Sequence, residues 1–325
     1  MYWAASCGGC EISLLNLNEN LLQWTAALEL VFCPCLLDTK TAEVEQMPDA
    51  SIDITLFNGA IRTTENVEMA RLLRRKSRIL VAFGACSMLG SIPALANLTS
   101  REDLLRRVYL DNPSTENPAG TTPQVCTHGP EGDLELPALL PSVRPLADFV
   151  QVDYSVPGCP PEPHTIDAAL TGLVSARPPE RGSVLGCGPS TVCKECARQR
   201  TEHALAEIRR PHQVAANPTD CLLDQGLLCL GPATRQGCGS LCPKVNMPCT
   251  GCYGPPDGIS DQGAKMVAAL GSVLDVGPYR GMSTPALKER SGHLAEAIVD
   301  PVGSWYRYSL ATSILGGQRG QDHQN

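Results

Sequence analysis

The sequence predicts an α/β protein: a doubly wound parallel sheet over residues 1–176, then a mostly irregular, short-helix region over residues 177–325. Three observations carry this. Strand-like and helix-like runs alternate through the first half, as they do where helices cross between parallel strands. Past Arg177 the rhythm stops, and Gly, Pro and Cys replace periodic apolar residues. Several cysteines closely follow predicted strands, at the edge where an open parallel sheet gathers its ligands.

The elements follow in order. Tyr2–Ala5 is a short apolar run ending at SCGGC. Ile12–Leu28 has helical spacing through Ile12, Leu15, Glu19 and Leu22. Leu30–Leu37 reads as a buried strand and Ile52–Asn58 as another. Thr64–Lys76 is an amphipathic helix with Thr64 as its N-cap. Arg78–Gly84 is a strand, Arg101–Tyr109 a helix and Asn112–Pro141 a long Pro- and Gly-rich loop. Ala147–Val156 is a strand and His164–Ala176 a helix. In the second region the helical pieces are short: Lys194–Arg209, Thr219–Leu230 and Gln262–Val273.

Composition narrows the function. Aromatics are only 4% of the chain, so its core is aliphatic. A net charge of −8, with no basic run beyond Arg71–Arg78, makes nucleic acid and anionic membrane poor candidates as partners. No apolar run reaches the ~18 residues of a membrane helix, and no signal peptide opens the chain, so a cytoplasmic protein is expected. Sixteen cysteines in a reducing compartment point to metal rather than disulfides. Metal–thiolate bonds would also replace the core that the second region lacks.

Twelve of the cysteines sort into three sets of four. Cys7, Cys10, Cys86 and Cys159 are distant in sequence, but three follow predicted strands and the fourth joins Cys7 through a CxxC turn. Gly8, Gly9, Gly84 and Gly158 flank them and let backbone N–H groups approach. Cys193, Cys196, Cys221 and Cys229 form the second set. Cys238, Cys242, Cys249 and Cys252 form the third, in CGSLCPKVNMPCTGC. Each set could hold a 4Fe–4S cluster. Zinc is the competitor, since paired CxxC motifs also make four-thiolate zinc sites; no histidine lies near the pairs. Of the remainder, Cys33 and Cys35 form a CxC on one face of a predicted strand, readable as ligands or as packing. Cys126 reads as a free thiol in the long loop. Cys187, six residues before Cys193, is a rival ligand for the second set.

At these residues the sequence resembles the small subunit of NiFe hydrogenases. The match runs through SCGGCEISLL (Ser6–Leu15), GACSMLGSIPALAN (Gly84–Asn97), VPGCPPEP (Val156–Pro163) and Cys221–Pro255. Within that family it looks most like the cytosolic methyl-viologen-reducing (group 3) type. The resemblance implies a flavodoxin-like first domain carrying the proximal cluster on Cys7, Cys10, Cys86 and Cys159. It makes the second set the distal ligands and the third the medial ligands, three 4Fe–4S clusters in all. Where many membrane-bound relatives have a distal histidine this chain has Cys193. Where many have a medial proline, leaving a 3Fe–4S cluster, it has Cys242. The added thiolate should lower the medial potential.

The implied role is electron transfer between a large subunit and a downstream acceptor, such as a 2Fe–2S subunit or a heterodisulfide reductase. No cysteine follows Cys252, so the chain lacks a second CxxC pair for a nickel–iron site, and no catalytic residue is assigned to it. Glu11 reads as a proton relay or a structural carboxylate. His164 reads as a cap or packing residue, His203 and His212 carry no role, and Arg71, Arg74, Arg75 and Arg78 read as a solvated helix face. No GxGxxG appears, and SCGGC occupies the turn where a flavin phosphate would sit. Only six residues precede Cys7, so the first strand should be short. The rival readings are a complex I-related subunit, a polyferredoxin and a zinc-stabilised scaffold.

Overall fold

The computed structural model describes residues 1–201, 205, 207–274 and 281–316. Its central sheet has four parallel strands: β1 (Tyr2–Trp3), β2 (Ile52–Asn58), β4 (Ser77–Phe83) and β8 (Tyr154–Val156), in the order β1-β2-β4-β8. β4 pairs on both sides, Val81 opposite Leu56 and Tyr154. It is buried from Leu80 to Phe83, as a parallel strand covered on both faces must be. Helices α1 (Gly9–Leu15), α2 (Glu19–Ala27), α3 (Thr41–Gln46), α4 (Thr64–Lys76), α5 (Ala85–Leu89) and α7 (Pro163–Val174) accompany it. One apolar cluster joins Phe57, Leu80 and Ala82 to Leu72 and Leu73 of α4. Another joins Val81, Phe83 and Val156 to Ile166, Leu170 and Leu173 of α7.

Several expectations need correction. The Ile12–Leu28 helix is two helices, broken at Asn16–Asn18, where Asn18 takes a positive φ of 51°. Leu30–Leu37 forms no strand, because Pro34 has no N–H for a ladder. Phe32 and Cys33 are nevertheless buried there. The cap of α4 is Thr63, whose hydroxyl accepts from Asn66 N–H, while Thr64 Oγ1 accepts from Ala138 N–H. The strand at Ala147–Val156 shrinks to β8, its first part becoming the 3₁₀ turn Leu146–Asp148. Arg74 is not solvated. It reaches Asp153 at 2.6 Å and the Ser77 carbonyl at 2.7 Å. Asp153, 1% exposed, also accepts from the Leu80 amide and pairs with Arg181. Burial pushes its carboxyl up, but Arg74, the Leu80 amide and Arg181 together outweigh burial and hold it below the usual range.

The long loop is not structureless. After α6 (Arg101–Tyr109) it carries a hairpin, β5 (Cys126–Gly129) with β6 (Gly132–Glu135), and then β7 (Leu139–Arg144), which pairs with β3 (Ile61–Thr63). Later helices are α8 (Leu241–Lys244), α9 (Gln262–Val273), α10 (Thr284–Glu296) and α11 (Pro301–Trp305). The described residues of the predicted helices Lys194–Arg209 and Thr219–Leu230 instead form turns and bridges; His203 lies outside the described residues. No helix among the described residues is long and apolar enough to cross a membrane.

Candidate functional site

The first thiol set stands at the carboxyl ends of the strands. Cys7 follows β1 and Cys10 lies in α1; Cys86 lies in α5 directly after β4, and Cys159 follows β8. Gly84 joins β4 to α5 at φ +85°, and a Cβ there would stand 2.5 Å from Cys10 Sγ, so only glycine fits. The structure brings the four thiols together. Burial, then Cys86, Glu11, Cys159 and Cys7, drives the Cys10 thiol far above its ordinary value. Burial, then Cys159, pushes Cys86 up to about 12. Cys159 rises through burial, with Cys7 adding. Ser91 opposes both of the latter shifts, so its hydroxyl faces these two sulfurs. That hydroxyl is buried, at φ +47°, with no partner of good hydrogen-bond geometry; Ser87 Oγ is likewise orphaned.

The second and third sets sit in loops. Burial, then Cys229, Cys221 and Cys196, pushes Cys193 up to about 12. Burial, then Cys238, with Cys159 and Cys242 contributing less, does the same to Cys252. Cys249 is raised by burial and then by Cys229. The third set therefore touches both others. Cys249 N–H donates to Cys229 Sγ at 3.3 Å, and the Cys159 amide supports the Cys252 sulfur. Arg198 ties the surrounding loops, donating to the carbonyls of Pro243, Asn217 and Asp220 and to Asn246 Oδ1. Glu195, inside the Cys193–Cys196 turn, accepts from the Gly237 and Ser240 amides at 3.0 and 3.1 Å and approaches Cys238 Sγ. Tyr253 Oη accepts from Glu162 N–H and shares a hydrogen bond with Thr165, fastening α7 to the third set.

The donor sets fit a charged cluster. Buried thiols that oppose one another's ionisation become thiolates together only around a shared cationic centre, and buried orphan hydroxyls suit acceptor sulfurs. Among the described residues, no three of these twelve sulfurs lie within 4.8 Å of one another. A single zinc ion with Zn–S bonds of about 2.3 Å would need sulfurs about 3.8 Å apart.

The remaining residues sort as follows. Glu11 Oε1 accepts from Asn58 Nδ2 at 2.6 Å, and its Oε2 is buried without a partner. His164 Nε2 donates to the Gly237 carbonyl at 2.6 Å, a packing contact at the start of α7. Cys187 packs beside Gly237, and its thiol is raised to about 11 by burial, with Arg235 opposing. That places it near the loop of the third set. Cys33 and Cys35 lie in a turn, their sulfurs 3.4 Å apart, on a cavity shared with Trp3 and Glu11. Sequence reasoning missed Ser91 and Glu195. Ser91 lies within the quoted GACSMLGSIPALAN run and Glu195 within a CxxC turn, but neither position announces its sulfur partner.

Similarity to known proteins decides the family. The iron–sulfur subunit of an F420-non-reducing hydrogenase from Archaeoglobus profundus is 40% identical over 274 residues, covering 82% of this chain and 85% of the relative. The chain belongs to the NiFe hydrogenase small-subunit family. A second relative, a subunit of the vhu F420-non-reducing hydrogenase of Methanocaldococcus jannaschii, is 37% identical over 97% of this chain and 95% of its own length. Residues 7–173 match the family described as NADH ubiquinone oxidoreductase, 20 Kd subunit. Among solved structures, a chain of an NAD+-reducing [NiFe]-hydrogenase in the H2-reduced state shares 36% identity, with 55% of this chain and 90% of that chain covered, at a TM-score of 0.47. The small subunit is thus part of a hydrogenase, an oxidoreductase.

Proposed function

We propose that this small subunit relays electrons through three 4Fe–4S clusters between a nickel–iron large subunit and an acceptor protein in the cytoplasm. Cys7, Cys10, Cys86 and Cys159 hold the proximal cluster. Cys238, Cys242, Cys249 and Cys252 hold the medial one, and Cys193, Cys196, Cys221 and Cys229 the distal one. Each cluster, when bound, supplies a one-electron carrier. The observation that carries the reading is the contiguity of the three thiol sets, first beside third at Cys159 and Cys252, third beside second at Cys249 and Cys229. That adjacency supports the order proximal, medial, distal. In this reading residues 1–176 form the proximal-cluster domain and residues 177–325 the two-cluster domain.

The large subunit would dock where Cys7 is exposed, beside the exposed apolar side chains of Trp3, Ile12 and Leu15. Glu11 stands behind that face with one oxygen unpaired, which suits a carboxyl that takes up and passes on a proton. Around the thiols the chain supplies burial, amide donors and the Ser91 hydroxyl. The acceptor, a 2Fe–2S subunit or a heterodisulfide reductase, would meet the distal end. The second reading, a complex I-related or polyferredoxin subunit, draws on the family match over residues 7–173. Purification under anoxia separates the two. The relay predicts about twelve iron and about twelve acid-labile sulfide per chain, together with a nickel-bearing companion. Full iron without nickel would favour the second reading. Zinc in place of iron would overturn both.

A further inference from the structure

The β5–β6 hairpin lies outside the thiol sets, and nothing in the proposed relay uses it. Antiparallel register sets Cys126 opposite Glu135 and His128 opposite Asp133. Residues directly opposite share a face, and so do residues two apart along a strand. One face of the hairpin therefore carries a thiol, an imidazole and two carboxylates. The Cys126, His128 and Asp133 donor atoms already lie within 4.8 Å of one another. His128 Nδ1 and Asp133 Oδ1 are 2.5 Å apart.

The hairpin has no other visible source of order. Among the described residues β5 and β6 pair only with each other, and all their residues are exposed except Gly129, which is intermediate. The opposite face carries Thr127 and Leu134, continued by Val125 and Leu136, and these are exposed as well. A lone two-stranded hairpin without an apolar layer is marginal in water.

We propose that this face binds a divalent zinc-class cation through Cys126 Sγ, His128 Nδ1 and Asp133, with Glu135 closing a four-donor shell. Sulfur, imidazole and carboxylate together select a borderline-soft ion over calcium or magnesium, which take oxygen shells. Tetrahedral zinc with bonds of about 2.0–2.3 Å brings its donors to about 3.6 Å apart. The His128–Asp133 contact opens from 2.5 Å by about an ångström to admit the ion, and Cys126 Sγ already lies within 4.8 Å of both. On binding, the Cys126 thiol releases its proton to solvent and His128 carries its remaining proton on Nε2. The cation clips the two strands together, as metal binding orders other segments short of core.

The test uses the whole hydrogenase complex, loaded with Zn2+ alone and then exchanged against a weak chelator. The expected result is one retained zinc per small subunit, with an X-ray absorption edge reporting one sulfur and otherwise nitrogen and oxygen donors. Replacing Cys126→Ser and His128→Ala together should weaken zinc retention by at least about 100-fold, the top of the range for outer-shell changes. Iron content should stay unchanged. Because both residues are exposed, the variant should fold. Zinc lost as easily from the wild type as from the double variant would overturn the proposal. So would a sulfur-rich zinc edge identical in both, which would place the ion on the cluster thiols.

Discussion

The sheet and the loop region beyond it both bury thiols, but on different frames. In the sheet, paired parallel strands build the frame, and two of its four thiols, Cys10 and Cys86, are buried within its apolar clusters. Leu80, Phe57 and Leu73 are almost fully buried without help from sulfur. In the loops no strand among the described residues frames the thiols, and four of the eight join one apolar cluster. Cys229 and Cys249 are buried in one cluster with Leu222, Leu223 and Leu227, and Cys221 and Cys238 pack against it. The first region could fold before its cluster arrives. The second does have an apolar core, contrary to the expectation from its sequence, with Leu222, Leu223, Leu227, Leu230, Met266 and Leu270 buried together. But it has no sheet among its described residues and its core includes the thiols, so its order should depend more on a shared metal.

Removing iron should split the molecule along that line, and this is the largest expected effect. After chelation, the amides of Leu227 and Leu230 should lose hydrogen-exchange protection by at least about a thousandfold, the scale of a sub-global opening of ~4 kcal/mol. The amides of β4 should keep theirs. Equal loss in both regions would break the comparison.

The sheet should answer instead to changes in its own frame. Asp153→Ala leaves Arg74 without its carboxylate at the β4–β8 junction and should cost about 2–3 kcal/mol in chemical denaturation. Its pH dependence has a definite sign. The folded-state pKa of Asp153 is depressed, so its stabilisation is complete above the unfolded value near 4 and fades as pH falls through the lower folded value. The gap between wild type and variant should therefore close in acid. Gly84→Ala forces a Cβ against Cys10 Sγ at positive φ and should cost about 2 kcal/mol. It should also lower the iron content by one cluster while leaving the other two. The smallest effect is Thr63→Ala, about 1 kcal/mol from the lost cap of α4, read as a shift in the thermal midpoint with iron unchanged.

The same contrast explains how much was legible beforehand. Ile52–Asn58, Thr64–Lys76 and Gln262–Val273 appear with the bounds their patterns suggest, because burial and period agree there, and Arg101–Tyr109 does so with no buried residue, opened by its Ser100 cap. Leu30–Leu37 looked like a strand by hydrophobicity alone, and Pro34 overrode it. The hairpin at Cys126–Glu135 was lost inside a Pro-rich stretch because neither of its faces is buried. The grouping of the cysteines followed from spacing, strand ends and the family resemblance. Ser91 against Cys86 and Cys159, Glu195 against the Gly237 and Ser240 amides, and Arg74 against Asp153 are contacts made only when distant segments meet. No local pattern encodes them.

The central claim is that each thiol set holds its own four-iron cluster, and Cys242→Pro tests it most directly. The variant removes one thiolate from the third set, at an exposed position in the four-residue helix α8. EPR of the oxidised complex should show a 3Fe–4S signal of about one spin per chain that is absent from the wild type, with both other clusters still reducible. No such signal with unchanged iron would contradict the ligand assignment and with it the three-cluster relay.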